Sequence, residues 1–399
     1  MRCGVTKYFV AMAALVVALF SHAETTLVVN KTKVQDVQWY SHDGGMSWPS
    51  YGGGLGFGYP SQTRPQAVTS GGVDYYTFAK CVDASPDYTI VYVADSLGHT
   101  TVLYRIYVEF CDPHQNSALI VDDDGYIIVY QSARGKWRES RVFKSKQSNT
   151  ITAGFDLIDS GHFYAYPNPH RKGLIYTDYN GEKRESWVKN EQCQKRLVIG
   201  GNYHMTTEDA DGTIHMLYDY HYAGQLRLRM NLHYMWSPDG CNWFNRYGES
   251  LTLPQPPNSN DTVIYRDYHK FTYPSDFKII NGEPTALVDI SDNENSQDGT
   301  RDLFVVKMDG AMTRIVTTRH NYDRAAFWQG NIVTSISNEY GYSGGYLHEF
   351  SMTGDYIGTI RGLGSANWPA VPDSGNLYYT DTTSSSVNKG DAGIYKITP

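Results

Sequence analysis

Short runs of apolar, β-branched and aromatic residues alternate with turns rich in glycine, aspartate and proline along most of this chain. Representative runs cover residues 89–93, 101–109, 126–130, 213–218 and 285–290. Such runs favour strands, because β-branched and aromatic side chains pack well on a pleated, half-buried surface. No window of about 11 residues after the N-terminal segment has the apolar period of a helix. The pattern predicts an all-β fold, which is a sandwich, a barrel or a propeller.

Two copies of a turn motif favour the propeller. They read SHDGGMSW at 41–48 and SPDGCNW at 237–243, and they resemble the Asp-box of sialidase-type propellers. In such a turn the Asp carboxylate accepts backbone N–H bonds, Gly adopts a positive φ and Trp packs beneath. The copies begin 196 residues apart, which corresponds to about four propeller blades of about 50 residues each.

A second repeat consists of two acidic hairpin turns, each followed by a strand that ends in tyrosine. The copies are IVDDDGYIIVY at 120–130 and EDADGTIHMLY at 208–218. Asp-Gly turns are ordinary hairpin chemistry. The feature that points to function is the histidine before each copy, His114 and His204.

The first 23 residues have the pattern of a secretory signal peptide. Arg2 and Lys7 flank the start of an uncharged apolar run at 9–20, and the small residue Ala23 ends the segment. This run is too short to span a bilayer, which needs about 20 residues. We therefore predict a secreted or periplasmic protein in which residues 24–399 form a single propeller domain without a membrane anchor.

Composition and charge narrow the class of protein. The sequence holds 33 Tyr and 37 Gly residues, and residues 24–399 carry 32 basic against 42 acidic side chains. An acidic field of this kind argues against nucleic acid as a partner. At about 50 residues per blade the domain has room for seven to eight blades. We predict a monomeric seven-bladed β-propeller, and no linker interrupts it.

Four cysteines follow the predicted signal peptide: Cys81, Cys111, Cys193 and Cys241. An even number in an exported chain predicts two disulfides with three alternative connectivities. We favour Cys81–Cys111, since both flank short strand-like segments, with free buried thiols as the alternative. No Cys-x-x-Cys or Cys/His spacing typical of zinc is present.

Histidine, tyrosine and asparagine concentrate near three turns that we expect at one end of the propeller channel. These segments are DPHQNS at 112–117, YAYPNPH at 164–170 with YTDY at 176–179, and GGNYH at 200–204. The cations nearest to them in sequence are Arg134, Arg184 and Arg196. A single His or Tyr is more often structural than catalytic. It is the clustering that indicates a site.

At these same residues the sequence resembles the propeller polysaccharide lyases that degrade ulvan, and the wider group of BNR-4-repeat proteins. The resemblance covers roughly residues 107–243. It implies a seven-bladed propeller that cleaves beside a uronic acid by β-elimination, with the active site at His114, Tyr179 and Arg196. Arg134 stands nearest to the position at which many relatives have a second histidine, so the identity of the base is left open.

The elimination requires these residue types. An arginine neutralises the uronate carboxylate so that the C5 proton can be removed, and the benefit is concentrated in the enolate-like transition state. The resemblance assigns this role to Arg196, with Arg134 as a second cation. Tyr179 then acts as base, acid or both, and His114 assists. The candidate sugar contacts are His204, Tyr203, Asn116, His170 and His269.

Two other functions remain open from the sequence: a propeller glycoside hydrolase of the sialidase or rhamnosidase type, and a carbohydrate-binding propeller without catalysis. No cofactor is required by the proposed chemistry, and no catalytic metal is indicated. The run Asp122-Asp123-Asp124-Gly125 resembles the start of a calcium loop but lacks the downstream Glu. A solvated hairpin turn is the favoured interpretation, with a structural calcium ion as the alternative.

Overall fold

Seven antiparallel sheets form the protein, and each sheet is one blade of a β-propeller. The computed structural model describes residues 26–27, 30–36, 63–82, 88–107, 117–132, 139–161, 164–180, 183–221, 229–292, 301–318, 325–335, 347–360, 365–382 and 393–399. These residues form strands, turns and bends, with no helix among them. The predicted all-β class and the seven-bladed propeller are therefore confirmed.

The chain begins with two strands that join blades formed much later in the sequence, and then builds blades one to three in order. The N-terminal strands are β1 (Thr26–Leu27) and β2 (Asn30–Asp36). Blade one contains β3 (Ala67–Ser70), β4 (Val73–Val82), β5 (Tyr88–Asp95) and β6 (Thr100–Tyr107). Blade two contains β7 (Ser117–Val121), β8 (Ile127–Gln131), β9 (Arg141–Ser145) and β10 (Phe155–Ser160). Blade three contains β11 (Ala165–His170), β12 (Gly173–Asn180), β13 (Lys183–Lys189) and β14 (Gln194–Val198).

The remaining four blades follow the same order. Blade four contains β15 (His204–Glu208), β16 (Ile214–His221), β17 (Arg229–Ser237) and β18 (Val263–Tyr265). Blade five contains β19 (Phe271–Ile280), β20 (Glu283–Ser291), β21 (Arg301–Lys307) and β22 (Met312–Thr318). Blade six contains β23 (Ala325–Trp328), β24 (Asn331–Ser335), β25 (Leu347–Phe350) and β26 (Tyr356–Ile360). Blade seven contains β27 (Ser365–Ala370), β28 (Leu377–Thr382) and β29 (Gly393–Thr398).

The N-terminal strands complete the last two blades. β2 pairs antiparallel with β29 and supplies the outermost strand of blade seven. β1 adds a parallel fifth strand beside β26 on blade six. Main-chain hydrogen bonds between the two ends of the chain therefore close the ring, which removes the exposed sheet edge that an open arrangement would leave.

The hydrophobic core lies between the blades. In β20 nearly every residue is buried, because each face of the strand meets a different neighbouring blade. Val288 packs with Leu217 and Leu232 of blade four, whereas the adjacent Leu287 packs with Phe327 of blade six. Successive side chains of a strand point to opposite faces, so an apolar run such as Ala-Leu-Val can serve two interfaces at once. Each fully buried Leu or Val contributes about 1.5–3 kcal/mol.

The strand directions define two ends of the central channel. The first strand of every blade is innermost, and it starts at what we call the front end. The second strands end at the front and the third strands begin there, because neighbouring strands are antiparallel. The rear end carries the opposite turns, such as those at 171–172, 209–213 and 238–242.

The segment at 63–66, directly before β3, blocks the channel. The Arg64 guanidinium donates to Asp276 of blade five at 2.5 Å, and its backbone N–H donates to the carbonyl of Pro167 in blade three at 3.2 Å. The second oxygen of Asp276 accepts from the backbone N–H of Phe327 in blade six at 2.8 Å. The Pro65 carbonyl accepts from Leu119 of blade two at 2.9 Å. The segment is thus bonded directly to blades two, three and five, and Asp276 links it to blade six.

The turn at 237–243 makes the hydrogen bonds that its sequence pattern predicts. Asp239 Oδ1 accepts from the backbone N–H groups of Cys241 at 2.8 Å and Asn242 at 2.7 Å. Gly240 has a φ of 76°, and a Cβ there would lie 2.7 Å from the Lys172 carbonyl oxygen. Trp243 is buried between blades three and four. The first copy of the motif, at 41–48, lies outside the described residues.

A disulfide joins Cys193, in the rear turn of blade three, to Cys241 in the turn of blade four. Their Cα atoms are 6.0 Å apart. This bond belongs to the connectivity in which Cys81 pairs with Cys111. Cys111 lies outside the described residues, so that pairing stays a prediction. The predicted signal peptide at 1–23 is likewise outside them, and the part of the chain that is described has no helix suited to crossing a membrane.

Candidate functional site

An arginine stands at or beside the start of the third strand in four consecutive blades. These residues are Arg141 in blade two, Arg184 in blade three, Arg229 in blade four and Arg301 in blade five. All four therefore lie at the front end. In three of them the register partner on the second strand is polar: Gln131 opposite Arg141, Tyr179 opposite Arg184, and His221 opposite Arg229. The fold thus repeats one cationic position around the channel mouth.

Three of these arginines alternate with two tyrosine rings, and we call this set the arginine–tyrosine ladder: Arg184, Tyr203, Arg229, Tyr273 and Arg301. The guanidinium carbon of Arg229 lies 3.9 Å from the ring centre of Tyr203 and 4.2 Å from that of Tyr273. Arg184 lies 4.9 Å from the Tyr203 ring and Arg301 lies 5.7 Å from the Tyr273 ring. Cation–π contact of this kind is worth about 0.5–2 kcal/mol each. The ladder spans blades three, four and five.

Most of the ladder is withdrawn from solvent. Arg229 is 7% exposed, Arg301 is 4% exposed and Tyr203 is 4% exposed. Arg184 Nη1 donates a hydrogen bond to the Tyr203 hydroxyl. Positive charge in a site of reduced polarity attracts an anion more strongly than the same charge in water.

A buried carboxyl group lies behind the ladder. Asp219 Oδ1 accepts from the Tyr203 backbone N–H at 2.9 Å, and the Asp219 N–H donates to the Tyr203 carbonyl at 3.0 Å. Burial raises the pKa of Asp219 to about 6, against the opposing charge of Arg229 and the Tyr203 hydrogen bond. Asp219 Oδ2 makes no hydrogen bond among the described residues. Near neutral pH one buried carboxylate therefore stands behind the ladder's three guanidinium groups.

Glycine at position 201 allows the chain to place Tyr203 here. Gly201 has a φ of 96°, and a Cβ at this position would lie 2.9 Å from the His221 carbonyl oxygen. The Gly201 N–H donates to the Arg184 carbonyl, and the Gly201 carbonyl accepts from His221. A larger residue would separate blade three from blade four at the point where Arg184 meets Tyr203.

His204 is buried next to the ladder. It is 2% exposed, and Asn168 Nδ2 donates to its Nε2 at 3.3 Å while its Nδ1 lies 3.1 Å from Ser186 Oγ. Burial lowers its pKa to about 3, against a hydrogen bond that the ring donates to the Tyr166 backbone carbonyl. The neutral ring therefore ties blade three to blade four, and its contact with a flanking sugar stays a prediction.

His170 lies at the rear end of β11, away from the ladder. Its Nε2 is 2.6 Å from Thr206 Oγ1 and its Nδ1 is 3.5 Å from Glu208. Burial would raise the pKa of Glu208, but hydrogen bonds from His170 and Arg171 outweigh it and hold the value at about 2. The structure does not bring His170 together with the front-end residues, and its sugar contact stays a prediction.

Arg196 is also remote from the channel mouth. It lies on β14, the outermost strand of blade three, and its Nη1 donates to Glu185 at 3.1 Å. Its register partner is Trp187, whereas the register partner of Tyr179 is Arg184. The structure therefore does not bring Arg196 together with Tyr179, and the role of Arg196 stays a prediction.

Of the remaining predicted site residues, one is described by the structure and three are not. His269 is exposed in the front-end connection before β19, and its backbone N–H donates to Asp267 at 2.8 Å. His114, Asn116 and Arg134 lie outside the described residues, and their roles stay predictions.

Sequence reasoning missed Arg229, Tyr273, Arg301 and Asp219. The available signal was a repeat: in blades two, four and five an Asp-Gly or Asn-Gly turn after the first strand is followed by an arginine at the start of the third strand. In the described segments no group of three His, Cys, Asp or Glu side chains is arranged to hold a metal ion. Asp122 instead accepts backbone N–H bonds within its own hairpin turn, from Tyr126 at 2.8 Å and Asp124 at 3.2 Å.

Comparisons with solved structures report the same fold. The chain is similar to the polysaccharide lyase Uly1, with a TM-score of 0.58 and 12% identity, over 92% of this chain and 98% of that one. It is similar to a puromycin-hydrolysing peptidase of Mycobacterium tuberculosis, with a TM-score of 0.52 and 10% identity, over 93% of this chain and 55% of that one. It is also similar to an alpha-L-arabinanase of Penicillium chrysogenum, with a TM-score of 0.46 and 11% identity, over 92% and 98%. At these identities the likenesses show the fold alone.

No protein-family model matches the sequence, and no curated protein matches it either.

Proposed function

We propose that the protein is a secreted polysaccharide lyase that cleaves a uronic-acid-containing, ulvan-like polysaccharide by β-elimination. The observation that carries the proposal is the arginine–tyrosine ladder at the front end of a channel blocked by Arg64. Three guanidinium groups in a site of low exposure fit an anionic sugar. The structural likeness to Uly1 is consistent with the same chemistry.

Arg184 carries the neutralising role in this mechanism. Its guanidinium, held by the Tyr203 hydroxyl, hydrogen-bonds the uronate carboxylate. The C5–H bond becomes acidic as charge moves toward that carboxylate, and the stabilisation is largest in the transition state. The base takes the C5 proton, the C4–O bond to the leaving sugar breaks, and a C4–C5 double bond forms. The departing oxygen takes up a proton from the acid.

Tyr179 is the proposed proton carrier, because its backbone lies opposite Arg184 at the front end of blade three. His114 assists by orienting the sugar acid or sharing the proton transfer. Proton transfer from a positioned side chain contributes about 10²–10⁴-fold. The substrate remains outside the cell in this proposal, and the enzyme acts as a secreted or periplasmic monomer without a required cofactor.

The decisive test is incubation with a panel of uronic-acid polysaccharides, ulvan first, while the ultraviolet absorbance of an unsaturated uronyl end is followed. A rise in absorbance is expected from the wild-type protein and none from Tyr179→Phe. Full activity in Tyr179→Phe would exclude that residue as the proton carrier.

Arg184→Ala and Arg196→Ala form a matched pair within one blade. We expect Arg184→Ala to lose about 10²–10³-fold in kcat/KM, as for removal of a transition-state donor. Arg196→Ala should remain close to wild type. If Arg196→Ala lost kcat/KM and Arg184→Ala did not, Arg196 would be the residue that neutralises the carboxylate.

A sialidase-type hydrolase is the second candidate, and a specific observation favours it: clustered arginines also suit a hydrolase that binds a carboxylate. The same incubation separates the two reactions. New reducing ends without an unsaturated product would identify a hydrolase, and binding without either product would identify a carbohydrate-binding propeller.

A further inference from the structure

A cleft of about 300 Å³ lies between blades four and five. The side chains that form its apolar wall and its charged rim are Tyr265, Lys270, Asp292, Asp302, Phe304 and Met312. Its volume falls at the lower end of the range typical of small-molecule sites, about 300–1,000 Å³. None of these residues belongs to the arginine–tyrosine ladder.

The charged residues that line the cleft lie at the front end. Lys270 directly precedes β19, Asp292 directly follows β20, and Asp302 is the second residue of β21. All three positions are at the end where the ladder lies, and Asp302 is next in sequence to Arg301. A polysaccharide chain held at the ladder can therefore extend toward the cleft without crossing the propeller.

The walls combine an apolar part with a polar rim. Phe304, Met312 and Tyr265 pack against the core between blades four and five. At the rim, Lys270 Nζ lies 2.8 Å from Asp292 Oδ1, and Arg314 Nη2 lies 2.9 Å from Asp302 Oδ1. Each carboxylate is thus paired with its own cation. Carboxylates accept hydrogen bonds from hydroxyl groups, and aromatic rings pack against the C–H face of a sugar.

The cleft differs from the ladder in charge, because the cations Lys270 and Arg314 balance the carboxylates of Asp292 and Asp302. A carboxylate or sulfate entering the cleft would gain no net attraction and would have to displace ion pairs that are already made. We propose that this cleft binds an uncharged sugar unit of the same polysaccharide whose uronate occupies the ladder. The inference rests on the proposed function, since it places a second subsite beside that site. It implies a heteropolysaccharide in which uronates are accompanied by neutral sugars.

The test uses saturation-transfer NMR on the full-length protein with uncharged methyl pyranosides: the glucoside, galactoside, mannoside and xyloside. The double variant Asp292→Asn/Asp302→Asn keeps the shape of the cleft but removes both charged acceptors. Its matched control is Glu283→Gln, because Glu283 forms an exposed ion pair with Lys307 at the rear end of the same blade.

We expect at least one uncharged probe to bind the wild type at millimolar concentration, and to bind the double variant about tenfold more weakly. Glu283→Gln should leave its affinity unchanged. The proposal is overturned if no uncharged probe binds, or if the double variant binds it as well as the wild type does.

A charged probe separates this proposal from the proposed function. Methyl glucuronide should bind with an affinity that depends on Arg229 and is unaffected by the Asp292→Asn/Asp302→Asn change. If a change at Arg229 left the affinity for methyl glucuronide unaltered, the ladder would not be the uronate site. The result for uncharged sugars at the cleft would still hold. Binding of the glucuronide that depends on Asp292 and Asp302 would overturn the assignment of the cleft to uncharged sugars.

Discussion

Two buried aspartates, each close to arginine, behave in opposite ways in this propeller. Asp276 in the blocked channel is bonded directly to Arg64 at 2.5 Å and also accepts from Phe327. Burial alone would raise its pKa, but the charges of Arg64 and Lys278 outweigh burial and hold the pKa below the ordinary value. Asp219 behind the ladder is equally buried, yet its pKa is raised to about 6 because burial dominates there.

The difference contrasts a structural ion pair with the proposed binding site. In the channel the charge of Arg64 neutralises a carboxylate and joins blades. In the ladder the guanidinium of Arg229 packs between the rings of Tyr203 and Tyr273. The first arrangement stabilises the fold, and in our proposal the second places positive charge beside an anionic sugar.

Removing Arg64 should have the largest effect on stability. Arg64→Ala leaves Asp276 buried without its ion-pair partner, and breaking a buried pair from one side costs about 3–5 kcal/mol. Denaturant unfolding measures this loss. Lys307→Ala is the control, because its pair with Glu283 is more than half exposed on both sides and exposed pairs of this kind contribute little to stability. A similar small loss for both variants would contradict the structural role of Arg64.

Replacing the central cation of the ladder should affect catalysis more than stability. Arg229→Lys keeps the charge but loses the planar group that lies between two rings. We expect kcat/KM on the active polysaccharide to fall about 10²-fold, or about 2.7 kcal/mol, while the folded state is retained. Circular dichroism and thermal unfolding provide the check on folding. An unchanged kcat/KM would place the substrate elsewhere.

The pH dependence of stability should distinguish Asp219 from Asp276 when each is replaced by asparagine. Because the folded-state pKa of Asp219 lies above its unfolded value of 3.8, this group contributes stability that is present below pH 3.8 and is lost as pH rises toward about 6. Asp219→Asn should therefore become more stable relative to wild type between about pH 4 and pH 7, by on the order of 3 kcal/mol.

Asp276→Asn should show no such change over that interval. The pKa of Asp276 is lowered, so its contribution is present above the unfolded value and is lost only at more acidic pH. Urea unfolding of wild type and both variants at several pH values measures the two differences. A constant offset for Asp219→Asn would show that its carboxyl group titrates normally.

His204→Gln should give the smallest effect. His204 joins Asn168 and Ser186 between the blades, so its loss leaves buried partners unsatisfied at a cost of about 1–3 kcal/mol. We expect lower stability with KM nearly unchanged. A large rise in KM without loss of stability would instead support the direct sugar contact that the sequence suggested.

The sequence was sufficient to predict the blades but not the ladder. Period-two runs, Asp-Gly turns and the spacing of two turn motifs are local signals, and they led to the seven-bladed fold. The ladder joins residues from 184 to 301, which only the packing of three blades brings together. The family resemblance implied Arg196, and sequence spacing alone does not tell which strand of a blade an arginine occupies. In the structure Arg184 on β13 is the register partner of Tyr179 on β12, whereas Arg196 lies on β14.

The Cys193–Cys241 bond has a mechanical consequence. It fastens blades three and four at the rear, and the network around His204 holds them along the inner strands. At the front the same two blades are joined by hydrogen bonds, where the Gly201 N–H donates to the Arg184 carbonyl and the Gly201 carbonyl accepts from His221. The proposed site therefore lies at the end of these blades that non-covalent contacts hold, and the covalent bond fixes the opposite end.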